Sequence, residues 1–249
     1  DADLEGVPLA PLTCGMPVYG PPIDDFESYA ALDESLRQAR PILDALVATA
    51  EVAKDAFGAR SSDLADDLLH RPMTDQMYRY AFRWGAPDSA ERGVPEMEEG
   101  QRIAFTAMLS DLLRKTDADN TEWLKEVIAE HGWPTISLVG EDASSRAWLL
   151  AQHADHDPAF QVQVLRLIEP LVAEGEVSKR NYEYLYDRVM LKVAGTQRYA
   201  TQVTCEGGVR EPRALDGSGE MNELRASVDL GTFEEYLTWF APCPPAEES

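Results

Sequence analysis

Residues 144–193 read SSRAWLLAQHADHDPAFQVQVLRLIEPLVAEGEVSKRNYEYLYDRVMLKV, and this stretch decides the fold class. Apolar residues recur every three or four positions over residues 144–154, 160–174 and 179–193. That period is typical of a helix that buries one face. A proline stands between the first two segments and a glycine between the last two, as expected at helix ends. We therefore predict three consecutive helices.

The sequence on both sides extends this pattern. Helical stripes before residue 131 predict further helices, with Pro41 dividing a helical hairpin and Asn120 and Thr121 starting a separate helix. After Gly195 the pattern alternates with a period of two, which indicates a strand that turns at Gly207 and Gly208. No alternation of strands and helices predicts a parallel sheet. The predicted fold is mainly α, a helical domain with a small C-terminal antiparallel β-hairpin.

Proline, glycine and charge mark the expected boundaries of four regions. They are an irregular Pro-rich arm (1–22), an N-terminal helical hairpin (23–60), a helical core domain (61–240) and a Pro-rich acidic tail (241–249). The core domain contains the β-hairpin at about 196–215.

The net charge excludes some classes of partner. The chain has 249 residues and a formal charge of −23, so phosphate neutralisation is disfavoured and we expect no nucleic acid partner. The same charge disfavours anionic membranes, and no apolar stretch reaches the roughly 18 residues that span a bilayer. The acidity favours solubility, or attraction to cationic partners and metal ions.

The three cysteines help to predict whether the protein is exported or cytoplasmic. Cys14 and Cys243 lie in Pro-rich segments, and an odd number excludes complete internal pairing. We expect one disulfide and prefer Cys205–Cys243, although both pairings with Cys14 stay open. A disulfide favours an exported protein, with a cytoplasmic one as the alternative. Because the sequence begins with Asp1 rather than Met, we expect a segment to have been removed.

The most polar run of the predicted helices is QHADHD, residues 152–157, next to the apolar residues 147–150. On a helix, His153 shares a face with His156 and Asp157, so these side chains offer ligands of mixed type for a divalent metal. The same run can instead be a helix end that carries histidine, or one wall of a polar site without a metal. We expect neither a metal nor another cofactor.

Two later segments supply further polar residues, which together with residues 152–157 predict a pocket. Asp187 and Arg188 are adjacent and need different partners, because neighbours on a helix do not face each other. Both could equally serve as structural anchors. The expected strand offers uncharged donors and acceptors for a pocket wall, or a solvent-exposed face, through Gln197, Tyr199, Thr201 and Gln202.

An earlier segment adds Asp75, Gln76 and Arg79. Asp75 and Arg79 are four residues apart, which predicts a local ion pair on a helix. An exposed pair of this kind contributes only a few tenths of a kcal/mol.

Together these segments resemble a bacterial family defined only by a domain of unknown function. The matching blocks are Asp75-Gln76-x-x-Arg79, Asp119-Asn120, His131-Gly132-Trp133-Pro134, Gln152-His153-Ala154-Asp155, Gln161, Asp187-Arg188, Gln197-x-Tyr199-x-Thr201-Gln202, Asn222, Arg225, Gly231 and Tyr236. One departure is Ala200, where the family pattern has Gly. The resemblance groups these residues but implies no substrate.

Two functions fit the predicted pocket. In a hydrolase or group transferase for a small polar or peptide-like substrate, His153 is the general acid/base. Asp155 or Asp187 then orients it and Arg188 holds an anionic group. The substrate would contact Gln152, Gln161, Gln197, Tyr199, Thr201, Gln202, Asp75, Gln76 and Arg79. The alternative is a ligand-binding or interaction module, with residues 1–60 as a docking segment for a protein partner.

Overall fold

The computed structural model describes residues 29–57, 63–85, 96–240 and 243. The described residues form two compact units that meet in sequence at Gly132 and Trp133. We call them the N-terminal unit and the C-terminal unit. The predicted arm, most of the predicted tail and Cys14 lie outside the described residues. The region boundaries predicted at residues 22, 60 and 240 therefore stay predictions.

The described elements of the N-terminal unit are all helices. Its elements are α1 (Tyr29–Phe57), α2 (Leu64–His70), α3 (Met73–Ala81), a 3₁₀ helix (Phe82–Gly85) and α4 (Glu99–His131). The long helices α1 and α4 pack along each other, α3 contacts both, and the 3₁₀ helix contacts α3 and α4. The core between them includes Leu43, Leu46, Tyr78, Phe105 and Leu109.

Two predicted helix breaks in this unit are wrong. The helix α1 runs through Pro41 without ending, because a continuous apolar stripe containing Leu43 and Leu46 packs into the core. The helix α4 likewise continues through Asn120 and Thr121. Both polar side chains find partners within the helical structure: Thr121 Oγ1 donates to the carbonyl of Asp117, and Asn120 Oδ1 accepts from Arg71.

Because α1 supplies part of the core, residues 29–57 are an integral part of the N-terminal unit. A docking role for residues 1–60 stays a prediction. None of the described helices has both the length and the hydrophobicity needed to cross a bilayer.

The C-terminal unit contains the three helices predicted from residues 144–193, followed by the hairpin. Its elements are α5 (Ile136–Val139), α6 (Glu141–His153), α7 (Pro158–Ala173), α8 (Lys179–Val193), β1 (Val203–Glu206), β2 (Val209–Pro212), α9 (Met221–Ser227) and α10 (Phe233–Leu237). The helix α7 packs against α8, and α6 contacts both. The mainly helical fold class with a small antiparallel hairpin is confirmed.

The hairpin is shorter than the predicted strands. In the antiparallel pair β1–β2, Val203 lies opposite Pro212, while residues 197–202 form an irregular loop with one isolated bridge between Gln197 and Leu215. A disulfide joins Cys205 to Cys243, the pairing that we preferred from the sequence. It ties residue 243 to the hairpin.

Candidate functional site

The turn between α6 and α7 directs Asp155 towards α8. The helix α6 ends at His153, and Pro158 begins α7. Asp157 caps α7 by accepting a hydrogen bond of 3.0 Å from the backbone N–H of Phe160, which stabilises the start of a helix. Only a short turn remains, and Asp155 lies within it.

Asp155 is the centre of a polar cluster, which we define as Asp155, Gln161, Arg188 and Lys192. Arg188 Nη1 donates to Asp155 Oδ2 at 2.6 Å, and Lys192 forms an ion pair with Oδ1 of the same carboxylate. Gln161 is fully buried; its Oε1 accepts from Lys192 at 2.8 Å and its Nε2 donates to the carbonyl of Ala151 at 3.0 Å. The cluster therefore joins the α6–α7 turn to α7 and α8.

The electrostatics of this cluster keep Asp155 ionised. Burial alone raises the pKa of Asp155, but the charges of Arg188 and Lys192 outweigh burial and lower the pKa to about 2. A carboxylate with such a pKa is a poor general base near neutral pH. Its two cationic partners leave the cluster with one excess positive charge.

The helices α6 and α8 run side by side in the same direction. Asn181 Nδ2 donates to Ser145 Oγ at 3.2 Å, and three residues further along the rings of Trp148 and Tyr184 meet edge to face at 6.5 Å. In each pair the two residues are 36 positions apart in the sequence, as expected for two helices that run in the same direction. One further turn on each helix brings Gln152 opposite Arg188, because positions i and i+4 share a face.

Polar atoms without a hydrogen-bond partner are concentrated along these facing sides. Among the described residues, five buried side-chain atoms lack a hydrogen-bond partner, and four of them lie on α6 and α8: Trp148 Nε1, Gln152 Oε1, Tyr184 Oη and Arg188 Nε. The fifth is Trp133 Nε1. Gln152 as a whole is only 6% exposed. Buried polar atoms in native proteins are nearly always paired, so this pattern indicates that water or a ligand belongs between α6 and α8.

An aromatic cleft begins at the same place. It has a volume of about 480 Å³, within the range of small-molecule sites. Its lining residues all belong to the C-terminal unit and are Trp148, Arg180, Asn181, Tyr184, Tyr236, Trp239 and Phe240. No sequence pattern predicts this cleft, because its rings come from α6, α8, α10 and the residues that follow α10.

Asp187 lies on another side of α8 and holds the loop of residues 197–202. It is fully buried, and its carboxylate accepts from the backbone N–H groups of Arg198 (2.8 Å), Tyr199 (3.0 Å) and Thr201 (2.9 Å). Burial raises the pKa of Asp187, whereas these hydrogen bonds oppose the rise. The structure therefore places Asp187 as a loop anchor, one of the two roles that the sequence left open.

The predicted strand over residues 197–202 is wrong, because these residues form a loop in which the buried Gln197 side chain binds the backbone. Gln197 Nε2 donates to the carbonyl of Gln202 at 2.8 Å, and Gln197 Oε1 accepts from the Gln202 N–H at 2.9 Å. Gln202 also donates to Thr201 Oγ1. Ala200 is fully buried with φ +53°, a conformation that suits glycine and agrees with the glycine of the family pattern.

Arg225 and Tyr236 close the loop from the opposite side. Arg225 is 2% exposed and donates to the carbonyls of Gly231 and Tyr199, both at 2.7 Å. The hydroxyl of Tyr236 donates to the carbonyl of Thr201 at 2.7 Å. The sequence pointed to both residues through the family resemblance alone.

Glu183, one turn before Asp187 on α8, was not predicted as a site residue from the sequence. Burial raises its pKa to about 7, and a hydrogen bond with the Tyr199 phenol opposes the rise. Burial also raises the pKa of Tyr199, to about 12. No sequence pattern distinguishes Glu183 from a surface glutamate, because its burial depends on the loop that folds over α8.

The remaining predicted residues lie in the N-terminal unit. Arg79 donates to Asp75 at 2.7 Å and to Asp117 at 2.6 Å, so the local ion pair is present. The pair is not a surface pair, because Asp75 is fully buried. Burial raises the pKa of Asp117 to about 7; Arg79 opposes this rise and Asp75 adds to it.

Gln76 donates to Asp75 and also lines a cavity of about 620 Å³ between α1 and α3. The other lining residues are mostly apolar, among them Ile42, Leu46 and Met77. This cavity lacks the convergent charged groups of the C-terminal unit.

The predicted site residues thus separate into three groups. Gln152, Asp155, Gln161 and Arg188 lie together around α6 and α8, whereas Asp187 and the loop residues form the anchor described above. Asp75, Gln76 and Arg79 belong to the other unit. His153 is half-buried at the last position of α6, and its catalytic role stays a prediction.

Comparison with known proteins gives a family but no activity. No curated protein and no solved structure shows significant similarity to the chain. The model of a family of unknown function, DUF6624, matches residues 88–242, which leaves Asp75, Gln76 and Arg79 before the matched region. Since the match covers more than half of the chain and confirms the resemblance noted from the sequence, the protein belongs to this family of unknown function.

Proposed function

We propose that the C-terminal unit binds a small polar or peptide-like ligand between α6 and α8. The observation that carries this proposal is the set of buried, unpartnered atoms Trp148 Nε1, Gln152 Oε1 and Arg188 Nε. Each such atom costs roughly 1–3 kcal/mol when nothing pairs with it. A binding site explains this cost, because the ligand supplies the missing partners.

The chemistry of these atoms describes the ligand. Trp148 Nε1 and Arg188 Nε are donors, and Gln152 Oε1 is an acceptor. A ligand that offers two acceptors and one donor complements them, as an amide or a peptide group beside a second carbonyl does. The adjoining aromatic cleft gives room for an apolar part of the same ligand.

Binding fits the observed contacts better than catalysis by His153. Asp155 is held by Arg188 and Lys192, and Asp187 is held by the loop backbone. Both carboxylates proposed to orient His153 are thus engaged in structural interactions. Arg188 also uses one of its nitrogens on Asp155, which leaves its Nε for a ligand.

Replacing Gln152 with Leu tests whether its oxygen is unpartnered in the ligand-free protein. Leucine keeps a similar volume and removes the buried polar atom, so we expect the free energy of unfolding to rise by about 1 kcal/mol. The matched control is Gln161→Leu. This change removes hydrogen bonds to Ala151 and Lys192, and we expect it to lower stability by about 2 kcal/mol. A comparable loss in Gln152→Leu indicates a satisfied structural glutamine and contradicts the proposal.

Binding itself is measured with N-acetyl-L-tryptophanamide, which carries two amide groups and one aromatic ring. Isothermal titration calorimetry of the full chain should detect binding of this probe. Gln152→Leu should weaken the affinity by about tenfold, which corresponds to the free energy of one lost hydrogen bond. Equal binding by the wild type and by Gln152→Leu would place the probe outside the proposed site.

Hydrolysis or group transfer is a second candidate, favoured by the pKa of about 7 for Glu183, whose carboxylate is hydrogen-bonded with the Tyr199 phenol. A group that titrates near neutral pH suits acid–base catalysis. Turnover of p-nitrophenyl acetate, p-nitrophenyl phosphate and leucine p-nitroanilide tests this candidate. Activity that disappears in Glu183→Gln or His153→Gln, with folding retained, favours it over binding alone.

A further inference from the structure

We propose that the aromatic cleft selects an aromatic ligand that carries a carboxylate, and that it rejects cations. This inference rests on the proposed function, since the cleft adjoins the unpartnered atoms of α6 and α8. It specifies that the ligand is aromatic and negatively charged, which the hydrogen-bonding pattern alone does not define.

The walls of the cleft are suited to a flat ring. Tyr236 contacts Tyr184, Trp239 and Phe240 edge to face, with centroids 6.0, 5.5 and 5.0 Å apart. Trp239 is 64% exposed despite its size. Ring pairs at these distances and angles are favourable, so a further aromatic group can extend the same packing.

A cage of aromatic rings alone favours a cationic ligand, but here the ring faces already carry arginines. Arg180 lies over Tyr184 and Trp239, at 5.7 and 5.1 Å from the centroids. Arg225 lies 5.0 Å over Tyr236. A cationic ligand would therefore meet like charges where a cage would attract it.

Arg180 is the group expected to bind the carboxylate. It is exposed at the rim of the cleft, and no carboxylate among the described residues forms an ion pair with it. A guanidinium group binds a carboxylate through two parallel hydrogen bonds, and stacking on Trp239 orients it for such contacts.

Charge selection is measured by titrating the full chain with three matched probes. They are N-acetyl-L-tryptophan, which is anionic, its neutral amide, and tryptamine, which is cationic. We expect the acid to bind about tenfold more tightly than the amide, the value of one charge-assisted hydrogen bond. Tryptamine should bind most weakly.

Arg180→Gln should lower the ratio of the affinity for the acid to the affinity for the amide from about ten to about one. The matched control is Arg146→Gln, which removes an exposed arginine of α6 that does not line the cleft. This control should keep the preference, because a charge farther from the ligand is screened by salt. A preference that survives Arg180→Gln, or that Arg146→Gln removes equally, overturns the assignment to Arg180.

The outcomes separate this inference from the proposed function. Equal affinities of the acid and the amide overturn charge selection but still support binding in the cleft. Failure of all three probes overturns the inference. A rise in stability in Gln152→Leu would then still support the unpartnered Gln152 oxygen on which the proposed function rests. A fourth probe, the peptide Gly-Gly-Gly-Trp with a free carboxylate, distinguishes two sources: tighter binding than N-acetyl-L-tryptophan indicates a peptide C-terminus, and equal binding indicates a small aromatic acid.

Discussion

The carboxylate of Asp187 organises the loop of residues 197–202, and Asp187→Asn tests this role. Asparagine keeps one oxygen, which can still accept from the N–H groups of Arg198 and Tyr199. Its NH₂ group, however, replaces the oxygen that accepts from Thr201 at 2.9 Å. Two donors then face each other, and the Thr201 N–H is buried without a partner.

The expected loss follows from these contacts. A hydrogen bond to a charged acceptor contributes about 1.5–3 kcal/mol, and an orphaned buried N–H costs about 1–3 kcal/mol. Part of the loss is regained, because neutral asparagine avoids the burial of charge that raises the pKa of Asp187. We therefore expect Asp187→Asn to lower the free energy of unfolding by about 2–4 kcal/mol, a large share of typical domain stability.

The assay is urea unfolding followed by circular dichroism, combined with amide hydrogen exchange at Arg198, Tyr199 and Thr201. Exchange of these amides should accelerate most, because they lose their acceptor. The control Glu206→Gln alters an exposed hairpin carboxylate and should change stability by less than about 0.5 kcal/mol. A loss below about 1 kcal/mol with unchanged exchange at Thr201 would refute the anchoring role.

Three further perturbations have defined outcomes. Burial raises the folded-state pKa of Glu183 from 4.5 to about 7. The stability that protonated Glu183 contributes is therefore present below pH 4.5 and is lost as the pH rises through about 7. In urea titrations, the free energy of unfolding of Glu183→Gln should equal that of the wild type in acid and exceed it by about 3 kcal/mol near pH 8. Arg79→Met removes the cation that pairs with buried Asp75 and half-buried Asp117, and calorimetry should show a loss of about 3–5 kcal/mol at neutral pH. Reduction of the Cys205–Cys243 disulfide, whose partners are 38 residues apart, should cost about 4 kcal/mol by the loop-entropy relation, measured as a lower Tm with dithiothreitol.

The helices of the C-terminal unit were predictable because the apolar period, the proline and the glycine agree over residues 144–193. The long helices of the N-terminal unit were not. Pro41 has low helix propensity, and Asn120 and Thr121 favour helix starts, yet tertiary packing and side-chain hydrogen bonds keep α1 and α4 continuous. Local propensity is overridden where a long apolar face is buried.

The candidate site was predictable only in part, and the reason lies in the geometry of helix pairs. Gln152, Asp155 and Gln161 are close in sequence, so their proximity follows from one helix end and one turn. The ion pair of Asp155 with Arg188 depends on how α6 and α8 pack, which no local pattern defines. The alternation after Gly195 indicated a strand, but residues 197–202 form a loop in which the buried Gln197 side chain binds the backbone.

The two sides of α8 explain why the anchor and the binding site occur together. Glu183 and Asp187, four residues apart, face the loop, whereas Arg180, Tyr184 and Arg188 continue at the same spacing along a neighbouring side. The loop and the cleft are therefore attached to one rigid helix. Since Tyr236 both bonds the loop at Thr201 and lines the cleft, a change that frees the loop also displaces a cleft wall. Asp187→Asn should consequently weaken binding of N-acetyl-L-tryptophanamide although Asp187 does not line the cleft, and unchanged affinity in the folded variant would show that the loop and the cleft are independent.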